Sequence, residues 1–390
     1  MTIYSNIWKL YVIKALRWFL LAMPITVIFF QENGLSLSQV MILQGSYSLT
    51  IAFMEIPSGY LADRFGRKNT LVLGTIFSFL GFLTISTSFE FTPFLLGELL
   101  LGVGASFISG ADSALLYDSL LESKKKNLYT KIEGRIYGIG NFSEAIAGIC
   151  GGILADISLR LPWSIQVVIA ALAIPIALIL VEPKIHQKST LTFNIKSIWR
   201  VVRFSLMENR RLKWLIIFSS VTGLATLSLA WFAQPYFKSI NMPITYFGVV
   251  WAILNLSTGV ASFNAHLFEK IWSNKQLLVV ICLGTSIPII LIMFSSYTLG
   301  LCFILMVFLV RGIATPTLRQ FINDITPSDI RATVLSIRSF TIRLAFSIVA
   351  PFLGWVSDTY TINESLFILG LSVLILGLVS SFKLLRLSDQ

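Results

Sequence analysis

The sequence has few charged residues for its length. Only 13% of its 390 residues are Asp, Glu, Lys or Arg, and 55% are hydrophobic, whereas a soluble domain carries about a quarter charged residues. The mean hydropathy is +0.81. A chain with so little polar surface cannot be covered as a water-soluble globule, so we predict an integral membrane protein.

Cysteine and histidine are also scarce. The three cysteines, Cys150, Cys282 and Cys302, lie inside apolar runs, which argues against a disulfide framework. The two histidines have no second ligand at metal-binding spacing, so we predict no metal and no cofactor. Because the sequence also lacks a nucleophile–base motif, we predict that the protein is not an enzyme.

The formal net charge of +11 has two interpretations, a nucleic-acid partner or basic residues that flank membrane spans. The apolar composition favours the second, because lysine and arginine accumulate in cytoplasmic loops. A membrane span needs about 20 apolar residues. The predicted spans are 8–31, 38–62, 69–88, 92–121, 132–156, 160–182, 212–238, 242–268, 275–296, 299–325, 331–356 and 362–384.

The basic residues predict the orientation of these spans. Twenty lie in the even-numbered loops and the C-terminal tail, whereas the odd-numbered loops hold only Arg160 and Lys238. By the positive-inside rule, both termini are cytoplasmic. We therefore predict a multi-pass protein of the plasma membrane, which is the inner membrane in a bacterium.

A long basic loop separates the first six predicted spans from the last six. Within it, apolar residues such as Trp199 recur at helical spacing opposite Lys196 and Arg200. We predict an amphipathic helix on anionic inner-leaflet lipid, the alternative being a solvated linker helix. The predicted domains are an N-terminal bundle 1–182, a cytoplasmic linker 183–211 and a C-terminal bundle 212–390.

The segment "GYLADRFGRK", Gly59 to Lys68, lies between spans two and three. It resembles the signature loop of the major facilitator superfamily, and twelve spans with a central basic loop extend that resemblance over most of the chain. The resemblance implies an all-α integral membrane protein, with twelve transmembrane helices in two pseudo-symmetric six-helix bundles around a central cavity. In the second half, Asp324 repeats Asp118 at an offset of 206 positions, part of a weak internal repeat that supports two halves.

The resemblance also implies a gating latch on the cytoplasmic side. In the family, the motif aspartate faces the start of span eleven, and the motif arginine pairs with an aspartate at the end of span four. By position these residues are Asp63, Arg67 and Asp118. Within the family, the chain resembles the drug:proton antiporters, although Glu98 replaces their span-four arginine and "AGICGG" lacks their span-five proline.

Ionisable residues inside the spans mark candidate sites, because such residues are costly in hydrocarbon. Static ion pairs that fix helix register are the alternative. We expect the acids of the first half and the arginines of the second half to share the central cavity. The proton-coupling candidates are Glu144, Asp112 and Glu98; the substrate-binding candidates are Arg17, Arg311, Arg343, Asn141 and Asn255.

These features predict a monomeric secondary transporter that works by alternating access on a small-molecule substrate. We predict proton-coupled export of a drug or metabolite. Proton-coupled uptake or facilitated transport of an organic anion stays open, as does a non-transporting membrane receptor. The sequence does not identify the substrate.

Overall fold

The computed structural model describes residues 3–184, 195–327 and 330–388, and in these ranges the regular structure is helical. Long apolar stretches form most of the helices, and short polar turns join them. The α-helices are α1 Asn6–Trp18, α2 Thr26–Glu32, α3 Leu37–Phe65, α4 Arg67–Thr87, α5 Phe91–Glu122, α6 Tyr129–Ile157, α7 Arg160–Leu178, α8 Ile195–Arg203, α9 Arg210–Ser239, α10 Thr245–Phe263, α11 Ala265–Ile271, α12 Asn274–Ile292, α13 Tyr297–Asp324, α14 Arg331–Thr359 and α15 Ile362–Ser388.

Within the described residues, eleven helical segments are long and apolar enough to cross a membrane. The first of them, Ile3–Glu32, contains both α1 and α2. The remaining predicted span, 38–62, corresponds to α3, which has 29 residues. The all-α fold predicted from the sequence is confirmed.

Contacts divide the chain into two compact units. Unit 1 contains Met1–Leu35, Ser46–Phe193 and Pro243–Ala252; unit 2 contains Ser36–Gly45, Asn194–Met242 and Ile253–Gln390. The first residues of α3 therefore belong to unit 2 and the rest of α3 to unit 1. The domain boundaries predicted from the sequence stay a prediction.

Part of the predicted linker, residues 185–194, lies outside the described residues. The described part of the linker forms α8, followed by one turn of π-helix at Phe204–Glu208. Val201, Phe204 and Leu206 pack on the apolar core of unit 2, and Trp199 is 61% exposed. The contact of this segment with anionic lipid stays a prediction.

In unit 1, α4 packs against α5 and α7, and α1 packs against α6 and α7. Small residues permit the close approach of α4 and α5. A Cβ atom added to Gly104 would lie 2.8 Å from the carbonyl oxygen of Gly74. Glycine is therefore required where the two backbones meet, as is usual for helix pairs in membranes.

In unit 2, α15 packs against α9 and α12, and α14 packs against α9. The α9–α14 contact is tight, because a Cβ atom at Gly223 would lie 2.7 Å from Cδ1 of Ile342. One turn earlier on each helix lie Ser219 and Arg338, and both side chains are buried. This pair is described further below.

The first predicted span, 8–31, is not one continuous helix. α1 ends at Trp18, and the chain resumes through a short 3₁₀ turn, Met23–Ile25, before α2. Pro24 lies in that turn and has no N–H to continue a helix. The backbone N–H of Leu21 donates instead to Oε1 of Gln166 on α7, at 2.9 Å. This bond satisfies a peptide group that hydrocarbon would leave without a partner.

The start of α3 is held by a side chain from the end of α14. The backbone N–H groups of Leu37 and Ser38 donate to Oδ1 and Oδ2 of Asp358, each at 2.8 Å. Ser36 and Gln39 also exchange hydrogen bonds as a capping box. A carboxylate at this position satisfies two free N–H groups and stabilises the positive end of the helix dipole.

Candidate functional site

The described part of unit 1 contains a small cavity between α1, α5 and α6. Its volume is about 10 Å³, which is room for about one water molecule. Both acidic and basic side chains reach it, against an apolar lining. The lining residues are Leu10, Ile13, Lys14, Arg17, Ile108, Asp112, Ser113, Glu133 and Ile136.

A serine connects the two carboxylates of this cavity. The Ser113 hydroxyl donates to Oε1 of Glu133 at 2.7 Å, and the Ser113 backbone N–H donates to Oδ1 of Asp112, also at 2.7 Å. Asp112 and Glu133 are both half-buried. Two carboxylates in one site repel each other when both are ionised.

Two cations from α1 oppose that repulsion. Lys14 and Arg17 lie one turn apart on α1, and the charge of each acts on Asp112. The Arg17 guanidinium also donates to the carbonyl oxygen of Ala105 at 3.1 Å, which ties the end of α1 to α5. Because Arg17 precedes the break in the first span by two residues, this polar cluster adjoins the interrupted backbone.

The structure brings together two of the predicted site residues of unit 1, Asp112 and Arg17. The other three do not line the cavity. Glu98 lies on α5 and is buried, whereas Glu144 on α6 is half-buried and Asn141 on the same helix is exposed.

The remaining substrate-binding candidates belong to unit 2. Arg311 lies on α13, and its guanidinium carbon is 5.6 Å from the ring centroid of Phe308. Arg343 on α14 and Asn255 on α10 are half-buried. Their substrate-binding role stays a prediction.

The residues of the predicted latch surround the turn between α3 and α4. The Arg67 guanidinium forms an ion pair with Asp118 and also donates to the carbonyl oxygen of Ala114. Asp63 is half-buried near the end of α3. The gating role of the three residues stays a prediction.

A further carboxylate, from the segment after α7, binds to this turn. Glu182 accepts hydrogen bonds from the backbone N–H groups of Arg67 and Lys68, at 2.9 and 2.7 Å. Gly66 begins the turn with φ of +97°, a conformation that favours glycine. Glu182 therefore caps α4 through the same loop that resembles the family signature.

Four residues that are prominent in the structure are not among the site residues predicted from the sequence: Lys14, Ser113, Glu133 and Arg338. Lys14 could have been found, because it lies three residues from Arg17 and hence on the same face of α1. Arg338 is likewise an arginine inside a span. Nothing in the sequence, however, signals that Ser113 connects two acids from different helices.

The comparison with protein families agrees with this architecture. Residues 7–350 match the model of the Major Facilitator Superfamily. The chain belongs to the major facilitator superfamily. This is a family of membrane transporters, so the coarse functional class follows from membership, and the resemblance noted in the signature loop is confirmed.

Known superfamily members resemble this chain to different extents. An uncharacterised MFS-type transporter of Methanocaldococcus jannaschii is 22% identical over 378 residues, which are 93% of each chain. The class H tetracycline resistance protein of Pasteurella multocida is 27% identical over 39% of this chain and 36% of its own length. The quinolone resistance protein NorA of Staphylococcus aureus is 24% identical over 42% of each chain.

Solved superfamily structures share the fold at low sequence identity. The nucleoside transporter NupG superposes with a TM-score of 0.82, at 14% identity, over 98% of this chain and 99% of its own. A D-xylose–proton symporter superposes with a TM-score of 0.71, at 16% identity, over 97% of each chain. These neighbours show the fold alone, because proteins with different cargoes share it.

Proposed function

We propose that the protein is a secondary transporter that exports a small organic molecule in exchange for protons. The proton is carried by the two acids of the unit 1 cavity, Asp112 and Glu133. Substrate and proton compete for this cluster. Binding of the substrate displaces the proton on one side of the membrane, and reprotonation releases the substrate on the other.

The observation that carries this proposal is the Asp112–Ser113–Glu133 connection beside Lys14 and Arg17. A single added proton removes the repulsion between the carboxylates, and nearby cations keep the ionised form accessible. Such a balance suits a group that must gain and lose a proton in every cycle. Buried carboxylates that were fully paired with cations would not gain and lose a proton in this way.

The relatives named for resistance support export. The class H protein is named for tetracycline and NorA for quinolones. Each match covers less than half of this chain, so the substrate of this protein is not carried over from them. The solved neighbours are a nucleoside transporter and a D-xylose–proton symporter, so a nucleoside and D-xylose are tested as alternative substrates.

The experiment is transport in proteoliposomes with an imposed pH gradient and a pH-sensitive dye in the lumen. Tetracycline, a fluoroquinolone, a nucleoside and D-xylose are added in turn. We expect substrate-evoked proton movement for at least one compound. Asp112→Asn and Glu133→Gln are expected to lower its rate on the order of tenfold or more, equivalent to about 1.4 kcal/mol or more.

The control variant is Glu90→Gln, because Glu90 is exposed at the residue before α5 and lies 22 residues ahead of Asp112 in the sequence. It should transport like the unaltered protein. Glu144→Gln tests a further coupling candidate of unit 1 that was predicted from the sequence. Full proton-coupled transport in both cavity variants, together with its loss in Glu144→Gln, would assign the coupling site to Glu144. Transport at a rate independent of the pH gradient would rule out proton coupling.

A second candidate function is uptake or facilitated transport of an organic anion. The arginines in the spans favour it, and we propose as candidate contacts, each within its own unit, Arg17 and Asn141 of unit 1 and Arg311, Arg343 and Asn255 of unit 2. The same liposomes distinguish the two functions. An anion importer moves benzoate or a similar labelled anion in the same direction as the protons flow, whereas an exporter moves its substrate in the opposite direction.

We further propose that the transporter lies in the plasma membrane as a monomer with both termini in the cytoplasm. The strong bias of basic residues towards one set of loops supports this orientation. The basic segment around α8 is then placed to contact anionic lipid of the inner leaflet.

A further inference from the structure

Unit 2 contains a buried arginine whose surroundings differ from those of the other buried charges. Arg338 lies on α14 and is 9% exposed. Its Nε donates a hydrogen bond to Oγ of Ser219 on α9, which is fully buried. The tight contact of Gly223 with Ile342, one turn further along both helices, fixes the two side chains in register.

No carboxylate in the described part of the chain neutralises Arg338. The charged group that acts on it is Arg319 of α13, which has the same sign. Arg67 offers a contrast within the same protein, because its guanidinium is paired with Asp118. Burying a cation beside another cation is unfavourable unless an anion joins them.

The geometry of the guanidinium defines the kind of anion. Its Nε bond to Ser219 holds the planar group in one orientation and leaves both terminal amino groups for a ligand. These two groups form a fork that matches two oxygens of a carboxylate or a phosphate. Arg319 is exposed and its charge acts on Arg338, so it adds a second positive charge to the site.

We propose that Arg338, with Arg319 and Ser219, forms a binding site for an oxyanion, the carboxylate or phosphate group of a small solute or lipid headgroup. The inference deepens the proposed transport function, because it assigns an anionic group to the cargo or to a bound lipid. Binding at this site needs no proton gradient, and it is therefore measured separately from transport.

The experiment follows thermal unfolding of the full chain in neutral-lipid nanodiscs while sodium phosphate or sodium acetate is added against sodium chloride of equal ionic strength. We expect a saturable rise in Tm. In Arg338→Gln the apparent Kd should weaken roughly tenfold or more, because a charged hydrogen-bond partner is lost. Arg338→Lys keeps the charge without the fork and should bind with intermediate affinity.

The matched control is Arg331→Gln, because Arg331 is an exposed arginine on the same helix that donates to carbonyl oxygens of the preceding turn. It should retain the full shift. Should Arg338→Gln fail to fold, Arg319→Gln at its exposed position is the variant that tests the site. The shift is measured without a pH gradient and without transport, which separates failure of this site from failure of proton coupling.

A parallel arm replaces part of the neutral lipid with phosphatidylglycerol. A shift that requires this lipid and disappears in Arg338→Gln assigns the oxyanion to a headgroup, whereas a shift with phosphate or acetate in neutral lipid assigns it to a solute. Equal shifts in the unaltered protein, Arg338→Gln and Arg319→Gln, or no shift with any of the three anions, would overturn the proposal.

Discussion

At the scale of single residues, the cavity of unit 1 depends on Ser113. Its hydroxyl and backbone N–H reach acids on two helices, so it holds Glu133 in a fixed position relative to Asp112. Without that bond, Glu133 is free to turn towards other partners. The proton would then be bound by Asp112 alone, next to Lys14 and Arg17.

We therefore expect Ser113→Ala to change the pH profile of transport and to slow proton-driven export roughly tenfold or more, in line with the loss of one hydrogen bond to a charged group, ~1.5–3 kcal/mol. Ser109→Ala is the control, because the Ser109 hydroxyl bonds only within its own helix, to Ser106. Identical pH profiles for the two variants would show that Ser113 does not position the acid pair.

Part of this site could be predicted from the sequence. Asp112 and Arg17 were selected because ionisable residues inside apolar runs are rare, and the structure brings them together. Glu133 was not selected, since it lies near the cytoplasmic start of α6 and its proximity to Asp112 depends on how α5 and α6 pack. Arg343 and not Arg338 was predicted as a site residue, because hydropathy does not show which face of α14 is buried.

At the scale of elements, the interrupted first span is the largest departure from the prediction. The apolar run 8–31 contains Pro24, yet proline alone often kinks a membrane helix without breaking it. The partner that supports the break, Gln166, lies on α7 and could not be identified without tertiary structure. Local pattern therefore predicts where a span lies but not where its backbone unwinds.

Gln166→Leu removes the acceptor of the Leu21 N–H and should destabilise the protein by about 1–3 kcal/mol, because a buried donor is left without a partner. Thermal unfolding in detergent measures the loss. Ser164→Ala on the same helix is the control, since that hydroxyl is exposed and bonds to its own helix at Arg160. Equal melting temperatures for both variants would contradict the role assigned to Gln166.

The bond from Asp358 to the start of α3 gives a second prediction for an element. Asp358→Ala should cost about 1–2 kcal/mol, because two helix N–H groups lose their acceptor and the dipole loses an anion. Asp156→Ala is the control, because Asp156 is likewise exposed and is the second-last residue of its helix, α6. Hydrogen exchange should show faster opening of the first turn of α3 in Asp358→Ala alone; unchanged exchange there would rule out the cap.

At the scale of the whole molecule, the helical fold, the number of spans and the family were all predictable from the sequence. Composition and the positions of the charges suffice for these properties, because the bilayer requires long apolar helices and excludes exposed backbone. The signature loop then identifies the family. Side-chain networks depend on contacts between distant segments, and they required the structure.

The most direct test of the account measures protons released by the purified transporter when substrate binds. In weakly buffered detergent solution at fixed temperature, the pH change on adding a transported compound reports the release. The proposal that Asp112 and Glu133 share the carried proton predicts stoichiometric release from the unaltered protein and from Glu90→Gln. It predicts no release from the Asp112→Asn, Glu133→Gln double variant that still binds the compound. Undiminished release from that double variant would contradict the account.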